Sequence, residues 1–256
     1  MNVGDVEDAR AFHEAFYGPD TAALIVSGNF DPAQLDRWVD EHLGAIPRPD
    51  RPILRNEARE APRSEGRTIT AFGPNVPLPA VVFSWQRPAQ NHEDSAALAV
   101  LDQILSGGQS SRLFRSLVYE RQLAQAADSI NYGLEDAGIF ALQAIVASGR
   151  DIAEVESALA AEIARVRDEP VSEAELAEAR TELVSQLLFD RETPTGRAFE
   201  LGQSLMGAGD PRWGDRMMAA VQQVTAADVQ RVAQQYLTDS TRVSIRYLDQ
   251  SARTGE

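Results

Sequence analysis

The 256-residue chain contains no cysteine. Thiol catalysis, disulfide bonding and thiolate-based zinc sites are thereby excluded, and the redox compartment is left open between cytoplasm and periplasm. Lysine is missing as well: all 24 basic residues are arginine, a bias that reflects codon usage in a GC-rich genome rather than local chemistry. Without lysine there is no phosphate loop of the Gly-x-x-x-x-Gly-Lys kind. Histidine is scarce, with three in the chain. No apolar run approaches the roughly 18 residues of a membrane span, so no span is expected. Met1-Asn2-Val3-Gly4-Asp5 has neither the basic start nor the apolar core of a leader peptide. Positive charge is in deficit, the formal net charge being −15. That excludes nucleic acid as a partner, because phosphate binding draws on concentrated cationic surface.

What is present has the balance of an ordinary globular protein, 43% hydrophobic and 25% charged. Residues 5–17 carry Val6, Ala9, Phe12 and Phe16 at helical spacing, and Gly18-Pro19-Asp20 ends them. Ala22–Val26 reads as a buried strand. Asp31 caps a second helix with Pro32 at its first position, directing Leu35, Trp38, Val39 and Leu43 to one face. From Pro47 to about Gly66 the sequence turns to Pro, Arg and Glu without periodicity, as a linker does. Thr68–Phe72 and Ala80–Trp85 read as strands. A helix opened by Asn91 then buries Ala97, Leu98, Leu101, Ile104 and Leu105. Gly107-Gly108-Gln109 interrupts it, and Ser110 or Ser111 caps a following helix with Leu113, Phe114 and Leu117. Strands near Ala126–Tyr132 and Ile139–Val146 flank a turn at 135–138. Helices dominate the remainder. One is marked by Ile152, Val155, Leu159, Ile163 and Val166; a second opens on a Ser172/Glu175 capping box; Thr193-Pro194 and Asp210-Pro211 read as further starts. A helix at 226–237 precedes a strand with Val243, Ile245 and Tyr247. Strand pairs followed by groups of helices predict an α+β fold with a mostly antiparallel sheet and helices on one face.

A shift of 220 residues overlays Asp8 on Asp228, Phe16 on Tyr236, Thr21 on Thr241 and Ile25 on Ile245. The repeated unit is helix, aromatic, short polar turn, strand. Its first copy therefore reads as the closing piece of a domain that precedes the complete one.

No constellation for catalysis stands out. His13, His42 and His92 lack the i, i+4 spacing that lets one helical face hold zinc, and each fits a structural setting. Ser110-Ser111-Arg112 has no Gly-x-Ser-x-Gly elbow around it. No catalytic and no metal-binding residue is assigned.

The stretch Ile104-Leu105-Ser106-Gly107-Gly108-Gln109-Ser110-Ser111-Arg112-Leu113-Phe114 and its continuation Leu117-Val118-Tyr119-Glu120-Arg121-Gln122-Leu123-Ala124 resemble the second domain of the pitrilysin/insulinase family of zinc metallopeptidases. Residues 11–17, 26–32 and 224–229 match in the same order, so the resemblance covers almost the whole chain. It implies paired α+β domains, the first carrying an inverted zinc motif, His-x-x-Glu-His, whose glutamate activates water. That motif is not in this chain, so the zinc cofactor is expected in an upstream domain of the parent protein and none here. Many members carry an Arg and, seven residues later, a Tyr that contact substrate; Val118 and Gln125 stand at those positions. The resemblance thus implies the inactive domain that follows a catalytic one. A structural or assembly subunit akin to processing-peptidase or respiratory-complex core proteins is the alternative.

The expected plan is a C-terminal remnant of an upstream domain at 1–46, a linker at 47–65, a complete domain at 66–249 and a tail at 250–256. The partners implied are a peptide or unfolded-protein substrate and a catalytic domain or partner half. Trp38 and Leu43 require cover from the core or from a second copy, as in a homodimer. Family likeness suggests the periplasm for the parent, with the cytoplasm as alternative. It also marks a peptide-docking edge at Gly107, Gly108 and Gln109 with the strand Ile130, Asn131, Tyr132 and Gly133.

Overall fold

The computed structural model describes residues 5–53, 55 and 57–253. Met1–Gly4, read above for leader character, residues 54 and 56 of the expected linker and 254–256 of the expected tail lie outside the described residues. Two helices open the fold, α1 (Val6–Phe16) and α2 (Pro32–His42). The strands are β1 (Arg67–Gly73), β2 (Ala80–Pro88), β3 (Ala124–Gly133), β4 (Ala137–Val146) and β5 (Val243–Asp249). Helix α3 (Ser95–Ser106) and a π-helix (Phe114–Glu120) lie between β2 and β3. Helices α4 (Ile152–Asp168), α5 (Glu173–Phe189), α6 (Pro194–Ala208), α7 (Trp213–Gln223) and α8 (Ala226–Tyr236) lie between β4 and β5.

The five strands form one sheet in the order β1-β5-β2-β4-β3. Only the β1–β5 pair is parallel; the other three pairings are antiparallel, as expected. The strand period of two sorts the side chains. Val81, Phe83 and Trp85 of β2 and Phe140, Leu142, Ala144 and Val146 of β4 point to the helices and are buried. They meet Leu98, Leu101 and Leu105 of α3, Leu159 and Ile163 of α4, and Val229 and Val232 of α8 in one continuous core. Trp85 pins the C-terminal end of α8 to this core, its Nε1 donating to Thr238 O at 2.8 Å. No described helix packs on the opposite face of the sheet, where Arg63 N and Ala61 O hydrogen-bond to the outward Gln86 side chain. There Ile130, Tyr132, Ile139, Ile145 and Tyr247 are each 40–60% exposed.

Several local expectations hold. The Ser172/Glu175 capping box opens α5, Thr193 caps α6 before Pro194, and Asp31 caps α2 before Pro32. Others need correction. Ala22–Val26 is not a strand: no described residue pairs with it, and an apolar run without a ladder partner does not become a strand. Ser111 stands at the cap position of the next helix, its carbonyl accepting from Arg115 N at 3.0 Å, but its hydroxyl donates back to Gly108 O at 2.7 Å instead of capping; from Phe114 that helix is of π type. Asn91 is not the cap of α3, which begins after Asp94. Asp210 accepts from Arg212 N (2.8 Å), but α7 starts only at Trp213. The faces of α1 and α2 are not buried within this chain: Phe12, Phe16, Trp38 and Leu43 are 41–57% exposed. At the start of the expected tail, Gln250–Arg253 forms a 3₁₀ turn with the Arg253 guanidinium over the Phe72 ring.

The 220-residue repeat is visible at the level of helix caps. Helices α1 and α8 both have 11 residues, and both open on a capping box, Asp5 with Asp8 and Thr225 with Asp228. Val229, Val232, Ala233 and Leu237 are buried. The matching Ala9, Phe12, His13 and Tyr17 are exposed. The two copies share sequence pattern and caps and differ in whether a sheet covers them.

Candidate peptide-docking site

The candidate site is built at the β3 edge. In the sheet order β3 is terminal, paired to β4 on one side and to no strand on the other among the described residues. Its outward row, Ile130 and Tyr132, lies on the open face opposite Ala141 and Ile139. Its inward row, Ser129 and Asn131, faces α3. Edge N–H and C=O groups beside exposed apolar side chains are the elements of strand addition.

Beneath Asn131 lies a polar cluster that sequence reasoning missed. Arg87 follows Val81, Phe83 and Trp85 on the inward row of β2, so the strand period carries its guanidinium inside, where only 6% of the residue is exposed. The cation is neutralised by dipoles rather than by contact with a carboxylate. Its Nη2 donates to Ser95 Oγ (3.0 Å), Nη1 to Asn131 Oδ1 and Nε to Pro88 O (3.3 Å). Burial lowers its pKa, with Asp102 as the nearest opposing charge. Asp102, on α3, accepts a hydrogen bond from Ser129 Oγ, which also meets Ser106 Oγ. Burial raises the Asp102 pKa; Ser129 and Arg87 work against that shift, and Asp128 adds to it. The inward parity of residue 87 was the available signal, since a charge on a buried row requires partners.

Arg87, Asp102, Asn131, Tyr132 and Gly133 line a cleft of about 610 Å³ together with Met206, Trp213 and Met217. The expected docking residues therefore divide. Asn131, Tyr132 and Gly133 border this cleft and Ile130 stands on the open face, whereas Gly107 lines a separate small hollow with Gln103, Glu175 and Glu178. Gly108 adopts φ +77 with open space around its missing Cβ, so its glycine serves the turn. Gln109 follows on that exposed turn.

The residues present do not fit a zinc centre. Among the described residues no group of three or more His, Asp or Glu side chains could hold a metal ion. The His13 ring stacks on Tyr17 at 5.0 Å, His42 ends α2, and His92 Nδ1 accepts from Asp94 N at 3.1 Å. Val118 packs against the core and Gln125 is exposed. No helix among the described residues is long and apolar enough to cross a membrane.

The comparisons with known proteins assign this α+β sheet with helices on one face to a family. Residues 5–183 match the profile of the peptidase M16 inactive domain, and the chain belongs to that family. An uncharacterized zinc protease of Mycobacterium leprae is 27% identical over 234 residues, 89% of this chain and 51% of that protein. Another, of Streptomyces coelicolor, is 26% identical over 96% of this chain and 54% of its own length. The chain thus spans about half the length of these curated relatives. A protease from Helicobacter pylori has the same fold (TM-score 0.90, 22% identity), over 95% of this chain and 59% of that one. More distant are the mitochondrial-processing peptidase beta subunit of Lentinula edodes and the periplasmic protease PqqL of Escherichia coli. The former is 21% identical over 91% of this chain and 52% of that protein. The latter shares the fold at TM-score 0.68 and 18% identity, over 87% of this chain and 25% of that one.

Proposed function

We propose that this chain is the non-catalytic domain of a zinc-dependent metalloendopeptidase, forming part of the wall of a chamber in which an upstream His-x-x-Glu-His domain hydrolyses peptides. The observation that carries the reading is the outer face of the sheet, which the segment at Ala61 and Arg63 covers only in part. Its apolar side chains stand 40–60% exposed beside the unpaired β3 edge. A face of that kind is suited to extended, unfolded substrate. The second uncovered surface, Phe12, Phe16, Trp38 and Leu43, belongs to the first copy of the repeated unit, and its partner is the upstream domain of like fold. Residues 1–46 are then the end of that domain, 47–65 the linker and 66–249 the inactive domain. The zinc belongs to the upstream domain, and the likeness to PqqL supports a periplasmic parent. Docking uses Ile130, Asn131, Tyr132 and Gly133, with Gly107, Gly108 and Gln109 at the neighbouring turn.

The test is reconstitution. The upstream half of the parent gene, expressed separately and mixed with this chain, should form a complex that hydrolyses an unfolded peptide and loses activity with chelator. An upstream half that ignores this chain and is fully active alone would overturn the reading. The likeness to a processing-peptidase subunit favours a second one, a structural or assembly subunit. An upstream sequence without His-x-x-Glu-His, in a complex that cleaves nothing, would select it.

A further inference from the structure

We propose that the cleft behind the β3 edge is a subsite for one basic side chain, arginine or lysine, of an extended peptide paired to that edge. The inference rests on the docking reading above and adds to it a residue class. A strand added to β3 would direct alternate side chains to the helix side of the sheet, where Asn131 and Ser129 point. The cleft opens on that side, lined by Asn131 and Gly133.

Its chemistry selects a cation with a long apolar stem. Asp102 lies in the wall and accepts a single hydrogen bond among the described residues, from Ser129 to Oδ1; Oδ2 accepts none. That half-buried carboxylate oxygen is free to receive a guanidinium or ammonium entering the cleft. Glu135 adds a second carboxylate to the lining. Arg87 does not fill this role. It makes no ion pair within 4 Å with any described carboxylate, and Pro88 O, Ser95 and Asn131 hold its guanidinium in place. The lining charges, Arg87 against Asp102 and Glu135, sum to −1 within a chain of net charge −15, so an incoming cation is favoured at both ranges. Met206, Met217 and Trp213 supply an adaptable apolar wall for the methylene stem and an indole face for the charged head. About 610 Å³ accommodates such a side chain with water to spare.

The experiment uses the full chain and three blocked ten-residue β-forming peptides that differ at one central position: arginine, its neutral isostere citrulline, and glutamate. Amide shifts and affinities are read by NMR titration at low salt. The arginine peptide should shift residues 130–133 together with Ala99, Asp102 and Met217. It should bind about ten-fold more tightly than the citrulline peptide, the equivalent of one partly screened charge pair. Asp102→Asn, which preserves the acceptor for Ser129, should bring the two affinities together, and Glu135→Gln should narrow the gap without touching the buried cluster. Equal binding of arginine and citrulline peptides along the β3 edge would overturn the subsite and leave docking standing. Tighter binding of the glutamate peptide would overturn the subsite by making Arg87 the receptor. No shift for any peptide at millimolar concentration would overturn docking and subsite together.

Discussion

Glu175 joins two parts of the domain that are distant in sequence, and its charge should be measurable in stability. Its carboxylate receives Arg112 Nε at 2.9 Å and Arg112 Nη2 at 3.2 Å from the start of the π-helix region. It also receives Ser172 N at 3.0 Å and Ser172 Oγ at 2.9 Å, closing the capping box of α5. Chiefly through Arg112, and against the burial that opposes it, its pKa is held down at about 2 from an ordinary 4.5. Undiluted, that depression corresponds to on the order of 3 kcal/mol. The Glu175 side chain is 36% exposed; solvent screening then leaves about 1 kcal/mol. Because the folded pKa is the lower one, this stabilisation is complete above the unfolded value near 4.5 and is lost as pH falls towards 2. Linkage leaves roughly two-fifths of it at pH 3. Glu175→Gln keeps a neutral N3 cap and removes the charge. Denaturant unfolding of both proteins should show a difference of about 1 kcal/mol at pH 7 that shrinks steadily below pH 4.5. A difference that is independent of pH, or one that grows in acid, would refute the argument.

A second tie is Asp94, only 3% exposed, which accepts from Arg231 Nη2 at 2.6 Å and Tyr236 Oη at 2.7 Å and so fastens α3 to α8. Asp94→Ala should cost about 2 kcal/mol, since it unpairs the Tyr236 hydroxyl while half-exposed Arg231 keeps Asp228 at 3.8 Å, and Tyr236→Phe about 1 kcal/mol; no loss from either in denaturant titrations would contradict the pairing. Limited proteolysis should nick the 47–65 segment first and leave 66–249 folded, whereas early cleavage within 151–190 would move the boundary. Within that segment Arg63 N donates to Gln86 Oε1 (2.7 Å) and Gln86 Nε2 to Ala61 O (3.3 Å), so Gln86→Ala should speed tryptic cleavage at Arg59 and Arg63. Metal analysis after dialysis should find no stoichiometric zinc on this chain, and tight binding of one equivalent would contradict the assignment of zinc to the upstream domain.

What the sequence disclosed was local. Capping boxes, first-turn prolines and the alternation of β2 and β4 are read within a few residues, and each reappears in the structure. The misses share a cause in contacts that no short window contains. Ala22–Val26 has strand composition, but a strand exists only through its neighbour. Leu113, just before the π-helix, and Leu117 within it stand at ordinary helical spacing, so the wider hydrogen-bond step left no mark in the apolar pattern. The cleft gathers Arg87, Asp102, Asn131 and Trp213 from four elements. The docking residues named in advance came from family likeness, and the fold brings 131–133 to that cleft while placing Gly107 elsewhere.

The placement of β5 has a consequence for synthesis. Among the strands, β1 pairs with β5 alone, Arg67 with Val243, so 175 residues lie between the two partners. At about 5–20 residues per second, β1 waits roughly 10–35 seconds on the ribosome with no strand beside it. Strand β2 meanwhile keeps one flank open until β5 slides in between. The β2–β4–β3 meander and α3 can form early, but the finished sheet is a late event that follows release of the last strand. A chain stalled within α8 would present the bare edges of β1 and β2 in addition to that of β3, in the state most prone to pairing with its neighbours.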